Sequence, residues 1–491
     1  MFAAAELGRK LSKEEYDADE PVLRNEMLET QMELAKAKFP VILLVGGVDA
    51  AGKGETVNML LEWMDPRHIE VNSFGEPSDE ERERPYFWRF WRALPPRGKI
   101  GIFYGSWYTD AIVGGALGEM KRGALERRIQ EIRSYEKMLA DDGALIIKVW
   151  LHLSRKAQKK RFTELESDPR TRWRVTKRDW SNLERYDEFI RVSEAALRAT
   201  SVAHAPWTVV EGEDWRYRQN AVAKLLLDSL KGRLGKARPK PEPAATVPPA
   251  NPKQGLTVLG SIDLTQKYSK KEYEKKLEKY QGRLNQLARK AWQKGVSTVV
   301  VYEGWDAAGK GGNIRRLTAG MDARNYRVTP IAAPTDEERQ HPYLWRFWRH
   351  IPRAGRVTIF DRSWYGRVMV ERIEGFCTED DWKRAYSEIN DFEAQLTASG
   401  IVVVKFWLQI SKEEQLRRFE ERKKIAYKRF KITDEDWRNR KKWDAYEAAV
   451  NEMIERCSTD IAPWTLVEAN DKLFARIRCL RTLCDALEAK V

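Results

Sequence analysis

An eight-residue string occurs twice in this chain at a fixed separation. It reads GVDAAGKG at positions 47–54 and GWDAAGKG at positions 304–311. Other identical pairs are also 257 positions apart, among them Trp88 and Trp345, Lys148 and Lys405, and Pro206 and Pro463. Chance similarity would not keep one register over so long a stretch, so the pattern predicts a duplicated domain. The chain must therefore fold as two copies of one architecture.

The length of 491 residues suits two or three domains. Six of the 20 prolines lie between positions 239 and 252, where neither a helix nor a central strand can form. We therefore predict a first copy over residues 1–235, a proline-rich linker over 236–255 and a second copy over 256–491. The copies are called the first half and the second half below.

Short apolar runs alternate with longer charged segments in each half. In the second half the pattern predicts strands at 297–302, 327–331, 356–360, 401–408 and 464–467. It predicts helices at 311–321, 380–398, 412–424 and 434–456. Alternation of apolar strands with helices indicates an α/β fold in which helices cover both faces of a parallel sheet.

The repeated string predicts a phosphate-binding loop. It follows an apolar strand, its glycines allow backbone N–H groups to converge on phosphate oxygens, and its lysine adds a positive charge. Gly311 stands where such loops usually carry Ser or Thr, whose hydroxyl meets Mg²⁺. The metal would need another oxygen ligand, and Asp306 within the loop is one candidate. The alternative is a glycine-rich turn without a ligand.

A second carboxylate ends a later strand of the second half. Asp361 is placed where phosphate-loop folds hold Mg²⁺, and Arg362 could neutralise charge on a transferring phosphoryl group. The alternative is that Asp361 caps the next helix. The first half has Tyr104 and Gly105 at these positions. It also has glycines at 114 and 115 in place of Glu371 and Arg372, so we predict that only the second half is catalytic.

Two further segments combine arginine or lysine with aromatic or helical patterns. In residues 342–349 we expect the tryptophans to pack on the core, whereas Arg346 and Arg349 could reach phosphate or an adenine face. Residues 417–431 carry a net charge of +6. This basic stretch is either a solvated helix face or a lid that closes over phosphates and excludes water.

Composition limits the remaining classes of function. The net charge of +14 indicates either a basic surface or a polyanionic partner. No apolar run approaches the roughly 20 residues needed to span a bilayer, and the first residues do not resemble a secretory signal. The four cysteines form no C-x-x-C pair, which argues against a zinc site and fits a reducing cytoplasm.

The phosphate loop, residues 342–348 and the string Phe360–Tyr365 followed by Glu371 and Arg372 together resemble the family-2 polyphosphate kinases, and the tandem arrangement resembles their two-domain class. The resemblance implies a P-loop kinase-like α/β/α domain with a helical lid, dependence on Mg²⁺, and transfer of phosphate from inorganic polyphosphate to AMP.

The resemblance also implies roles for individual residues. Lys310 would hold donor phosphates, Asp306 and Asp361 would bind Mg²⁺, and Arg362 would contact the phosphoryl group in flight. Glu371 is a further motif position. The other phosphate contacts expected in this way are Gly309, Gly311, Gly312, Arg346, Arg367, Arg372, Lys428 and Arg429. The family's Asp-Pro in the lid is present at 168–169 but absent from the second half.

Other functions remain open at this stage. The second half could instead phosphorylate ADP or GDP from polyphosphate, or act as an ATP-using nucleoside monophosphate kinase. A non-catalytic phosphate or nucleic-acid binding protein is a third reading, above all for the first half. The expected partners are polyphosphate and AMP or ADP, without nucleic acid or membrane, in a cytoplasmic homo-oligomer such as a dimer.

Overall fold

The structure is a computed structural model that describes residues 1–236, 257–425 and 432–491. These residues divide into two compact units, each with one five-stranded sheet. Most of the predicted linker, together with Lys428 and Arg429, lies outside the described residues.

The first sheet is entirely parallel, with strand order β2-β3-β1-β4-β5. Its strands are β1 (Val41–Gly47), β2 (Ile69–Ser73), β3 (Ile100–Tyr104), β4 (Leu145–His152) and β5 (Trp207–Glu211). The helices of the first half are α1 (Lys13–Leu34), α2 (Lys53–Trp63), α3 (Asp79–Arg82), α4 (Trp88–Arg92), α5 (Thr109–Leu117), α6 (Arg122–Asp141), α7 (Arg155–Ser167), α8 (Lys177–Glu184), α9 (Tyr186–Thr200) and α10 (Trp215–Arg233).

The second sheet repeats this topology, with strand order β7-β8-β6-β9-β10 and parallel pairing throughout. Its strands are β6 (Thr298–Gly304), β7 (Tyr326–Pro330), β8 (Val357–Asp361), β9 (Val402–Gln409) and β10 (Trp464–Glu468). The helices of the second half are α11 (Lys270–Gln293), α12 (Lys310–Thr318), α13 (Asp336–Arg339), α14 (Trp345–Trp348), α15 (Val370–Glu374), α16 (Glu379–Ala398), α17 (Lys412–Lys424), α18 (Asp434–Lys441), α19 (Trp443–Cys457) and α20 (Lys472–Glu488).

Pairing register is also repeated between the sheets. Val41 is paired with Ile100 in the first sheet, and their counterparts Thr298 and Val357 are paired in the second. All eight residues of β9 are buried, as expected for a strand with helices on both faces. The prediction of a duplicated α/β domain built on a parallel sheet is confirmed.

One predicted element was wrong in its extent. The expected helix at 434–456 is two helices, α18 and α19, because the backbone leaves the helical region at Lys442 (φ −100°, ψ 23°). The break lets Asn439 of α18 and Trp443 of α19 reach neighbouring residues of the phosphate loop, as described below. Among the described residues, no helix combines the length and apolar character required to cross a membrane.

Candidate active site

The phosphate loop of the second half connects β6 to α12 at the carboxyl edge of the sheet. β8 and β9 flank β6 on opposite sides, so the loop lies where the strand order reverses, which is the usual ligand site of open α/β sheets. Gly309 caps α12 with a left-handed backbone (φ 112°) that strongly favours glycine. The loop therefore presents the N-terminal N–H groups of α12 to a cleft of about 670 Å³.

Two glycines of this loop differ in the space around them. A Cβ at Gly304 (φ 145°) would come within 2.7 Å of the backbone oxygen of Leu408, so glycine is required for the close approach to β9. A Cβ at Gly311 would meet nothing within 4 Å. Gly309, Gly311 and Gly312 all line the cleft, as does Lys310. The structure thus brings together the phosphate-loop residues predicted from sequence.

Lys310 is held at the base of the loop. Its Nζ donates hydrogen bonds to the backbone oxygens of Gly304 (2.7 Å) and Trp305 (3.3 Å). These contacts fix the ammonium beside the cleft rather than leaving it to swing in solvent.

Asp361 ends β8 next to the loop, Arg362 follows the strand directly, and both residues line the same cleft. Among the described residues, no side chain forms a hydrogen bond or ion pair with the Asp361 carboxylate. Arg362 has a left-handed backbone (φ 65°), which a residue with a Cβ adopts at a cost of about 1–2 kcal/mol. Backbone strain of this kind is often retained at functional sites, where it directs a side chain to one place.

Asp306 is the meeting point of three elements. Its Oδ1 lies 3.4 Å from Nη2 of Arg362, and its Oδ2 accepts a hydrogen bond from Nδ2 of Asn439 (2.9 Å). Its backbone oxygen accepts one from Nε2 of Gln415 (3.1 Å). Burial alone would lower the pKa of Arg362, but the carboxylates of Asp306 and Glu303 outweigh burial and raise it.

The donor set of the cleft fits a magnesium ion that is shared with substrate. Among the described residues, no group of three or more His, Cys, Asp or Glu side chains is arranged to hold a metal by itself. Mg²⁺ usually binds proteins through one or two carboxylates, substrate phosphates and several waters. Asp306 and Asp361, which line one cleft with the phosphate loop, supply such a pair.

The described part of the basic stretch does more than cover a surface. Arg418 is 2% exposed, and its guanidinium donates to the backbone oxygens of Ala307 and Ala308 in the phosphate loop (2.9 Å each). It also donates to Ala469 and Asn470 after β10 (2.7 and 2.9 Å). Arg418 therefore holds the loop against the sheet edge. The cleft is lined further by Arg315, Arg316, Arg422 and Arg476.

Four residues expected near phosphate do not line the cleft. Arg367 pairs with Glu371 (Nε to Oε2, 2.7 Å) and lies over the ring of Tyr343. Arg372 pairs with Glu452 (2.7 Å) and lies over the ring of Trp382.

Arg346 donates to the backbone oxygen of Ala332 (3.0 Å), and Arg349 lies over the ring of Trp345. Neither arginine lines the cleft. Trp345 and Trp348 are buried, as predicted for a helix that packs its aromatic residues on the core.

Comparison with known proteins identifies the family. Residues 10–238 and 267–491 each match polyphosphate kinase 2. The chain belongs to the polyphosphate kinase 2 family.

Relatives match this chain over nearly its whole length. A polyphosphate:AMP phosphotransferase of Pseudomonas aeruginosa is 54% identical over 100% of this chain and 99% of its own length. One of Acinetobacter johnsonii is 36% identical over 91% of both chains. The crystal structure of a polyphosphate kinase 2 from Pseudomonas aeruginosa superimposes with a TM-score of 0.90 at 52% identity, covering 100% of this chain and 99% of that one.

Sequence reasoning missed two residues of this site. Glu303, at the end of β6, is 5% exposed and accepts a hydrogen bond from Oγ of Ser363 (2.8 Å). Burial raises its pKa, although nearby Lys310 opposes the rise. Trp305 stacks on Trp443 with ring centroids 3.6 Å apart and donates to Gln409. The available signal was the 257-position comparison, which pairs Glu303 with Gly46 and Trp305 with Val48.

The Trp-Tyr part of the motif belongs to a buried hydrogen-bond network. Trp364 and Tyr365 are fully buried and donate to Oε1 of Glu393 (3.0 and 2.8 Å), which pairs with Lys405 (2.6 Å). The first half contains the same network, in which Trp107 and Tyr108 donate to Glu136 and Lys148 completes the pair (2.7 Å). In both halves this network fixes the turn that follows the strand end.

The strand end itself differs in the first half. Burial and the carboxylates of Asp49 and Asp179 raise the pKa of Tyr104 above its ordinary value, so a neutral phenol stands at the position of Asp361. Gly105 has nearly the same backbone conformation as Arg362 (φ 72°) but has no side chain. The first half has therefore kept the backbone and lost both charges.

The first phosphate loop is also covered. Glu55, the counterpart of Gly312, pairs with Arg218 (2.6 Å), Arg161 (3.0 Å) and Arg174 (3.7 Å). A Cβ at Gly52 would lie 2.1 Å from Cζ of Arg218, so this guanidinium lies directly on the loop. A carboxylate of the protein occupies the arginine cluster that could otherwise bind a phosphate.

Proposed function

We propose that this chain transfers a phosphoryl group from inorganic polyphosphate to AMP, giving ADP and a polyphosphate one unit shorter, at the cleft of the second half. The observation that carries the proposal is the convergence of Lys310, Asp361 and Arg362 on one cleft at the end of β6. The full-length relatives named polyphosphate:AMP phosphotransferase support the choice of donor and acceptor.

The basic cleft suits the donor. Lys310, the N–H groups of α12, and the arginines at 315, 316, 422 and 476 provide positive potential along its wall. Such a surface binds a polyanion through its charge, whereas a single nucleotide would need fewer cations. We place the terminal phosphates of polyphosphate here.

The acceptor approaches Asp306 from the side opposite the basic cleft. Asp306, Lys310 and Arg362 line both the basic cleft and a smaller adjoining cavity of about 80 Å³. The second cavity also contains Glu303 and Glu435, which repel a polyanion, and the apolar side chains of Met369 and Val370. An acceptor phosphate presented from this side meets the donor at Asp306, Lys310 and Arg362.

The protein contributes mainly position and charge to the reaction. An oxygen of AMP attacks the terminal phosphorus, and the bond from that phosphorus to the bridging oxygen of polyphosphate breaks. Arg362 is placed to stabilise charge on the phosphoryl group, and Lys310 stabilises the departing phosphate. Asp306 and Asp361 would hold Mg²⁺, which neutralises phosphate oxygens when bound.

The test is ADP formation by the full chain with each donor and acceptor in turn. We expect rapid turnover of AMP with polyphosphate and Mg²⁺, and little with ATP as the donor. Equal turnover with ATP would indicate a nucleoside monophosphate kinase, and faster phosphorylation of ADP or GDP than of AMP would contradict the acceptor assignment. Chelation of Mg²⁺ should abolish turnover.

A further inference from the structure

The first half contains a cavity of about 450 Å³ at the carboxyl edge of its sheet. It is the counterpart of the cavity of about 80 Å³ beside the cleft of the second half, because equivalent residues line both. Ligand pockets typically measure about 300–1,000 Å³, so the cavity of the first half is of a size to enclose a small molecule.

Three substitutions explain the larger volume. Gly46, Val48 and Gly105 of the first half replace Glu303, Trp305 and Arg362. A large side chain is therefore lost at each position, including the indole that stacks on Trp443 in the second half. The first half has lost its catalytic groups and gained an internal space.

The wall of this cavity is largely aromatic. Phe74, Tyr104, Trp150, Phe189 and Trp207 contribute rings to it. Such a wall favours a flat, aromatic ligand, because rings gain from stacking in addition to area burial.

One buried hydrogen-bond donor in the wall has no partner. Trp150 is 5% exposed, and within the described part of the chain nothing accepts a hydrogen bond from its Nε1. In the second half, Nε1 of the counterpart Trp407 donates to Gln409 (2.8 Å). Position 152 of the first half is His152, which contacts Glu6 instead. The Nε1 atom of Trp150 is itself buried, so the cavity offers a ligand the ring of Trp150 and not its N–H group.

The charges around the cavity favour an uncharged ligand. Lys53 and Arg178 are balanced by Asp49 and Asp179 in its lining. The adjoining arginine cluster is already paired with Glu55. Polar contacts remain available from the hydroxyls of Ser106 and Thr109, both of which line the cavity.

We propose that this cavity binds a purine nucleoside without its phosphates. The base would stack among the aromatic side chains, and the ribose would contact Ser106 and Thr109. The choice of a nucleoside rests on the proposed function, since the cavity is the counterpart of the acceptor side of the second half. The site would let the first half sense the nucleoside that corresponds to the acceptor.

The test is equilibrium dialysis of radiolabelled adenosine against the full chain, with Val48→Trp and Trp150→Phe as variants. Val48→Trp restores the residue type of the second half and should weaken binding at this site at least about tenfold. Trp150→Phe replaces the indole by a smaller ring and should weaken binding by up to about tenfold, because less ring area is left for stacking. Val71→Trp, which adds the same ring at a half-exposed position of β2, is the matched control and should bind as the wild type does.

The outcomes separate this site from the cleft of the second half. Binding that is lost in Val48→Trp and weakened in Trp150→Phe supports the proposal. The proposal is overturned by no saturation up to about 1 mM adenosine, by binding unchanged in both variants, or by AMP binding more than tenfold more tightly than adenosine at this site. AMP phosphorylation is measured in the same samples, so a failure of the proposed function would appear as absent turnover whatever the dialysis shows.

Discussion

The two phosphate loops share a backbone and differ in what surrounds it. Gly47 and Gly304 have the same φ of 145°, and each loop lysine donates to the backbone oxygens of the residues five and six positions before it. In the first half Glu55 and Arg218 cover the loop, whereas in the second half the same face opens into the basic cleft. The strand, turn and helix thus set the shape of the loop, whereas the side chains packed around it decide whether its N–H groups are open to a ligand.

Removal of catalytic charge should affect only one half. We expect Asp361→Ala and Lys310→Ala to lower the rate of ADP formation by about 10³-fold or more, because each removes charge that acts on the phosphates. Lys53→Ala, at the matched position of the first half, should change the rate by less than tenfold. Steady-state kinetics with AMP and polyphosphate measures this, and equal losses in Lys310→Ala and Lys53→Ala would refute a single active half.

The buried ion pairs should matter equally in both halves. Glu393→Gln and Glu136→Gln each leave a buried lysine without its carboxylate, which typically lowers the free energy of unfolding by about 3–5 kcal/mol. Glu379→Gln, at an exposed position of α16, is the control and should change it by less than about 1 kcal/mol. Denaturant unfolding of the three variants tests this. A large loss in the second half alone would contradict a shared structural role.

Arg362→Gly gives the second half the residue that the first half has at this position, Gly105. It should lower activity without lowering stability. The rate should fall about 10²- to 10³-fold as the cation is lost. The backbone should be no less stable, because glycine adopts φ 65° without the cost that arginine carries. Arg362→Lys keeps the positive charge but lacks the planar guanidinium, so its rate should lie between those of the wild type and Arg362→Gly. A marked drop in the melting temperature of Arg362→Gly would count against this account of the strand end.

Glu55→Gly makes the opposite conversion and should have the smallest effect. Without its carboxylate, the cluster of Arg161, Arg174 and Arg218 becomes available to an anion, so binding of tripolyphosphate should rise from one toward two per chain. Glu62→Gly, an exposed position of the same helix, is the control for the loss of about 1 kcal/mol that glycine causes in a helix. Unchanged stoichiometry by equilibrium dialysis would show that Glu55 does not block the site.

Much of the fold could be predicted because it depends on local pattern. The buried strands read as apolar runs, and the constant separation of the halves required the sheets to match. The break at Lys442 left no such signal, because residues on either side of it favour a helix. Contacts distant in sequence accompany the break, since Asn439 and Trp443 contact two neighbouring residues of the phosphate loop.

The residues of the candidate site could be predicted from sequence where a side chain of that type has one usual kind of partner. Asp361 stands at a strand end, and its replacement by tyrosine in the first half exposed its importance. Arginines were harder to place, because a long cationic side chain serves phosphate, carboxylate and backbone oxygen alike. Arg418 and Arg372 are examples, the first holding the loop by its carbonyls and the second paired with Glu452.

The buried network around Trp364 and Tyr365 has a consequence for how genes of this kind are interpreted. Its counterpart is complete in the first half, so an open reading frame that encoded such a half alone would match the family along its whole length. The most conspicuous aromatic residues of the signature would then be present in a protein without the acid and the cation that precede them. When a gene is assigned to polyphosphate metabolism, the residues at the positions of Asp361 and Arg362 should therefore be inspected. The tryptophan and tyrosine indicate only that the protein belongs to the family.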